Sequence, residues 1–201
     1  MYIGLTGFAG TGKDTVASLL TEAANRHGFR VFGYNLSEVI KEELDRRGED
    51  GALASRATLI QVGNELRATD ENGVLARRMA KRIRSICPTN ESEPALFVIA
   101  GIRSPFEADV FRAEWGKLFR LLAVETAFEV RIGRMAKRGQ YHDDTNRSTQ
   151  LEEADQAIGI RESIELSDWT IENNSSVEHL RHQVETLFER IVLARHNSTN
   201  P

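Results

Sequence analysis

The strongest chemical signal in this chain of 201 residues is a run of nine. Gly7-Phe8-Ala9-Gly10-Thr11-Gly12-Lys13-Asp14-Thr15 sets three glycines before a lysine. A phosphate chain carries dense negative charge. Successive backbone N–H groups can wrap it where no Cβ stands in the way, and glycine leaves that room. A helix beginning at the lysine adds the positive end of its dipole. Lys13 brings a mobile cation to the β and γ oxygens. The spacing therefore predicts triphosphate binding through Gly7, Ala9, Gly10, Thr11, Gly12, Lys13, Asp14 and Thr15. A glycine-rich turn without a ligand is the alternative. The spacing, the lysine and the strand-to-helix context all stand against it.

One position departs from the usual pattern. The residue after the lysine is normally Ser or Thr, whose hydroxyl holds Mg²⁺. Here it is Asp14, with Thr15 one step later. A carboxylate is a hard oxygen ligand, so Asp14 and Thr15 are the candidate metal ligands. Asp14 is equally explained as an acid at a helix N-terminus, where negative charge is favoured.

Further cations could serve the same chemistry. Arg131, Arg134 and Arg138 share one helix face by their spacing. Gly139, Asp143, Asp144 and Arg147 follow them. Phosphoryl transfer needs charge neutralisation more than covalent help, so such a cluster suits it. A solvated basic helix face is the alternative. Arg103 follows a buried strand and should face the crevice at the strand ends. Its other reading is a salt bridge at the sheet edge. Arg67, in Asn64-Glu65-Leu66-Arg67, is a phosphate clamp or an exposed helix arginine. Arg56 and Arg77 are weaker candidates. His142, Asp143 and Asp144 are nearly consecutive and lack metal-ligand spacing. Cys87 shows no sign of being a nucleophile.

These residues must be held by alternating strands and helices. Tyr2 to Leu5 reads as a buried strand. Val16, Leu19, Leu20, Ala23 and Ala24 mark one face of the next helix, which Gly28 stops. Val31 to Tyr34 is a second strand. Leu36 to Arg84 is helical and charged, with helices over roughly 37–47, 55–68 and 73–86. Ala95 to Ile99 is an unbroken apolar run, as in a parallel strand covered on both faces. Pro105 opens a helix over 105–115. Leu118 to Val124 and Trp169 to Ile171 are strands. Phe128 to Lys137 and Val177 to Leu193 are helices, and 139–150 is a polar interruption. This alternation predicts an α/β, doubly wound, five-stranded parallel sheet within one domain over 1–201.

The Gly-Lys-Asp-Thr form resembles P-loop kinases of small metabolites, above all phage-type deoxynucleoside monophosphate kinases. Ile3-Gly4-Leu5-Thr6-Gly7 is similar to the start of dephospho-CoA kinase. Ile99-Ala100-Gly101-Ile102-Arg103-Ser104-Pro105 and Ser167-Asp168-Trp169-Thr170-Ile171-Glu172-Asn173-Asn174 resemble strand-end motifs of proteins related to adenylate and dephospho-CoA kinases. The resemblance implies a P-loop NTPase fold of the nucleotide-kinase type. It implies a helical acceptor-binding insert at 36–86 and a lid at 138–150 whose edge carries Arg134 and Arg138 as catalytic cations. Arg103 would face the acceptor phosphate, Arg67 would bind the acceptor, and Asn173 and Asn174 would lie against the adenine. Relatives often carry Asp where this chain has Ala100. That leaves Asp14 to supply the carboxylate, or transfer weak.

Composition bounds the rest. Thirty acids outnumber 26 bases, for a net charge of −4, so bulk charge gives no nucleic-acid binding. The single cysteine excludes a disulfide framework and suits a cytoplasmic protein. No apolar run approaches the ~20 residues of a membrane span, and the N-terminus lacks the basic start of a targeting segment. The expectation is an ATP- and Mg²⁺-dependent kinase, monomeric or homodimeric, that phosphorylates a small nucleotide-like acceptor. A (deoxy)nucleoside monophosphate comes first and dephospho-CoA second. A nucleotide-binding regulator or slow NTPase is the alternative class.

Overall fold

The computed structural model describes residues 1–69, 72–86, 94–137 and 152–193. Five strands form one parallel sheet in the order β2-β3-β1-β4-β5. They are β1 (Tyr2–Thr6), β2 (Arg30–Asn35), β3 (Ala95–Ile102), β4 (Phe119–Glu125) and β5 (Trp169–Glu172). The expected doubly wound parallel sheet is what the chain forms.

Alternation along β1 and β3 divides the core in two. Ile3, Leu5, Leu96, Val98 and Ala100 face one side, where they meet α1 (Lys13–Arg26) and α9 (Val177–Phe188). The buried face of α1 is Val16, Leu19, Leu20, Ala23 and Ala24, the set its spacing predicts. Tyr2, Phe97 and Ile99 face the other side. There they meet α2 (Ser37–Arg46), α3 (Arg56–Thr69), α4 (Val74–Ile86) and α5 (Pro105–Trp115). Because both faces of the sheet are covered, its central strands carry no polar face.

The helices of the stretch 36–86 give their apolar faces to the core: Leu75, Met79 and Ile83 of α4 are fully buried. A stripe of six buried residues on α4 has nowhere else to go but the sheet face.

After β4 come α6 (Phe128–Lys137), α7 over 152–157 and α8 (Ile160–Glu165). Residues 152–165 carry two helical segments that the sequence pattern did not reveal. Residues 139–150, and with them Arg138, His142, Asp143, Asp144 and Arg147, lie outside the described residues, as does Cys87.

Candidate active site

The nine-residue loop runs from the end of β1 to the first turn of α1, at the carboxyl ends of the strands. Gly12 caps α1 with φ 91°, a left-handed conformation that strains any L side chain. A Cβ there would also strike the amide of Asn173, and one on Gly7 would strike the Val124 carbonyl oxygen. The loop is propped from three sides. Asn173 Nδ2 donates to the Thr11 carbonyl at 2.8 Å. Thr126 Oγ1 lies 3.1 Å from the same oxygen. Arg131 Nη1 donates to the Ala9 carbonyl at 3.3 Å.

Lys13 folds back into the loop, donating to the carbonyls of Gly7 at 2.6 Å and Phe8 at 2.8 Å. Its pKa falls from 10.5 to about 7. Burial is the main cause, the cations Arg103 and Arg56 add to it, and Asp155 and Asp14 oppose it. An ammonium so poorly compensated, beside a loop of backbone donors, is prepared for an incoming polyanion. The cradle therefore fits a nucleotide phosphate chain.

The end of β3 is tied by one carboxylate. Ser104 and Glu107 form a capping box at the start of α5, with Pro105 at its first position. Fully buried Glu107 does more than cap. Its Oε2 accepts from the Arg103 backbone N–H at 2.8 Å, and its Oε1 accepts from Arg67 at 2.8 and 3.1 Å. Arg67 is therefore not an exposed helix arginine: 10% of its side chain is accessible.

Arg103 forms an ion pair with Asp155 of α7, and Asp155 is 3% exposed. The sheet-edge salt bridge is thus real, but it lies within the crevice. A cleft of about 260 Å³ joins these parts, lined by Gly12, Lys13, Asp14, Arg56, Arg67, Ala100, Arg103 and Asp155 among others.

The expected arginine face divides. Arg131 is buried between the rings of Phe8 and Phe128, 5.0 and 5.3 Å from their centroids, and pairs with Glu152 at 2.7 Å. It is a structural pin between α6, α7 and the loop. Arg134 is half-buried and donates weakly to Asn173 Oδ1 at 3.4 Å. Its Nη1 is buried beside Gly12 with no hydrogen-bond partner among the described residues. It stands beside the loop.

The asparagines expected against an adenine have internal work. Asn173 is buried on the loop, and Asn174 Oδ1 accepts from the Ala127 N–H at 2.7 Å. Ser176 caps α9, its side chain accepting from the His179 N–H.

Asp14 is exposed on the first turn of α1, at the wall of the cleft. Among the described residues no cluster of three or more His, Cys, Asp or Glu could hold a metal. Asp14 and Thr15 are hard oxygen donors of the kind Mg²⁺ takes, since it binds through one or two carboxylates and otherwise through phosphates and water.

Two residues of this site, Glu107 and Asp155, escaped sequence reasoning. The Ser104-x-x-Glu107 spacing is a capping-box signature and could have identified the first. Asp155 sits in an acidic stretch with no signal to set it apart.

A family model described as an AAA domain matches residues 3–158. A UPF0200 protein of Methanothermobacter thermautotrophicus is 31% identical over 196 residues, spanning 95% of this chain and 90% of that protein. In structure the chain is similar to a gluconokinase from Sinorhizobium meliloti, with TM-score 0.59 and 11% identity over 99% of this chain and 97% of that one. It is also similar to shikimate kinase from Acinetobacter baumannii in complex with shikimate, with TM-score 0.54 and 14% identity over 96% and 93%. At these identities the likeness is one of fold: an α/β P-loop NTPase shared with kinases. That likeness in fold does not single out nucleoside monophosphate kinases. No helix among the described residues is long and apolar enough to cross a membrane.

Proposed function

Given that the chain belongs to the AAA-domain P-loop proteins and to the UPF0200 family, we propose that it is an ATP-dependent phosphotransferase acting on a small anionic acceptor. One observation carries this reading. Lys13 and the N-terminus of α1 open into the same cleft that Arg56, Arg67 and Arg103 line. A protein that only bound nucleotide would need the loop but not three further arginines in the same cleft.

The loop N–H groups wrap the phosphates and Lys13 neutralises the β and γ oxygens. Arg134 adds charge from the α6 side. Arg67 and Arg103 hold the acceptor, and its attacking oxygen meets the γ-phosphorus in line. Asp14 and Thr15 would hold Mg²⁺, which would neutralise charge developing on the β and γ oxygens. The acceptor is nucleotide-like: a (deoxy)nucleoside monophosphate, or dephospho-CoA. The aliphatic walls Ile40, Leu59 and Leu75 suit its uncharged part.

A regulator or slow NTPase is favoured by one feature. Ala100 stands in the cleft wall where the resembled kinases often carry Asp. A coupled ADP-release assay separates the two, using nucleoside monophosphates, dephospho-CoA, gluconate and shikimate as acceptors. Stimulation by one acceptor supports the kinase. Steady hydrolysis that no acceptor changes supports the regulator.

A further inference from the structure

We propose that the nucleophile of the acceptor is an alcohol hydroxyl and that Asp155 takes its proton. This rests on the phosphotransferase reading and reorders its acceptors: one that reacts through a hydroxyl comes first, and a nucleoside monophosphate, which reacts through a phosphate oxygen, comes second.

Two carboxylates, Asp14 and Asp155, line the cleft with Lys13, and a third, Glu107, pairs with Arg67 of its wall. Glu107 has both oxygens occupied, by Arg67 on one side and backbone N–H groups on the other. Asp14 is exposed at the start of α1. Asp155 is buried, lines the cleft and lies near enough to Lys13 to act on its charge. Its Oδ1 holds Arg103, which fixes the carboxylate and leaves Oδ2 for a hydroxyl. Ala100 provides no competing group.

Charge then decides which nucleophile fits. Arg67 is already neutralised by Glu107, and Arg103 by Asp155. A phosphate nucleophile is an anion that needs no base. Held at Arg67 or Arg103, it would have to displace one of these carboxylates or face Asp155 directly. Two like charges brought together in surroundings of intermediate polarity repel strongly. A neutral hydroxyl meets the same carboxylate as a hydrogen-bond donor. In loose phosphoryl transfer, a carboxylate that orients the hydroxyl and accepts its proton is sufficient.

The step balances. The hydroxyl oxygen forms a bond to the γ-phosphorus as its proton passes to Asp155 Oδ2. The bond from that phosphorus to the β,γ-bridging oxygen breaks, and its electron pair leaves with ADP. Asp155 then gives the proton to solvent.

The test uses ATP radiolabelled in the γ-phosphoryl group. The full-length protein is incubated with this ATP and a deproteinised small-molecule cell extract supplemented with nucleoside monophosphates and dephospho-CoA. Label in an acid-stable phosphate ester is the expected result. Label in an acid-labile anhydride leaves the kinase reading standing and overturns this proposal. Label released only as inorganic phosphate overturns both. Asp155→Asn should slow formation of the ester about a hundredfold or more, with ATP affinity measured by equilibrium binding held within about twofold. A variant that transfers at the normal rate, or that loses only thermal stability, overturns the role of Asp155. The acid-stability result on the unmodified protein stands whether or not the variant folds.

Discussion

Arg67 of α3 and Glu107 of α5 meet at 2.8 Å in the wall of the cleft, with the carboxylate fully buried. The same Glu107 holds the Arg103 backbone. One side chain thus joins the helical stretch at 36–86 to the end of β3, and both candidate acceptor arginines take their position from it. Neutralising it leaves a buried guanidinium without its counter-charge.

Glu107→Gln should therefore destabilise the fold by about 3 kcal/mol or more. For a chain of this size that is roughly 6–12 °C in Tm. The double variant with Arg67→Met should recover part of the loss, because no unpaired charge remains. Thermal melts of both proteins check this. A Glu107→Gln protein as stable as the parent would show that the pair does not anchor the cleft.

Lys13 gives a pH dependence whose sign is fixed. Its pKa is about 7 in the folded protein and 10.5 unfolded. Between these values the unfolded chain binds more protons at this site, so its contribution to stability rises with pH across that window. Bound phosphate should pull the pKa back up. Nucleotide binding should then take up close to one proton at a pH of about 8.5, and affinity should fall as pH rises above about 7. Calorimetry in two buffers of different ionisation enthalpy measures the uptake. Lys13→Met should abolish both the uptake and nearly all turnover while the fold survives.

Asp14 would repel the γ-phosphate unless a cation lay between them. Asp14→Asn should weaken the Mg²⁺ dependence of turnover more than it changes metal-free nucleotide binding. A Mg²⁺ titration identical to that of the parent protein would leave Asp14 as an acid at a helix start.

Arg131 and Arg134 are three residues apart and should fail differently. Arg131→Met removes the charge between Phe8 and Phe128 and leaves Glu152 with only its longer contacts to Arg161 and Gln156, at a cost of about 1–3 kcal/mol. Arg134→Ala should leave Tm nearly unchanged and slow transfer by ~10², as for a cation that acts on developing charge. The two effects are read from melts and from single-turnover rates. A reversed pattern would exchange the two assignments.

The sequence by itself determined the phosphate loop and the sheet. Both are local statements. Gly12 before Lys13 needs only its neighbours to make a left-handed cap, and the run from Ala95 to Ile99 is apolar enough to demand burial on both faces. The five strands and most helices follow from such short-range patterns. The set of residues facing Lys13 is not local. Arg103 and Asp155 are 52 positions apart, and Arg67 and Glu107 are 40 apart. Whether an arginine ends as a solvated cation, a pin or a ligand-facing group depends on which carboxylate the fold brings to it. Arg131, Arg134, Arg67 and Arg103 are the same residue type in sequence. Only packing separated them, because the cost of burying each charge had to be met by a partner from another part of the chain.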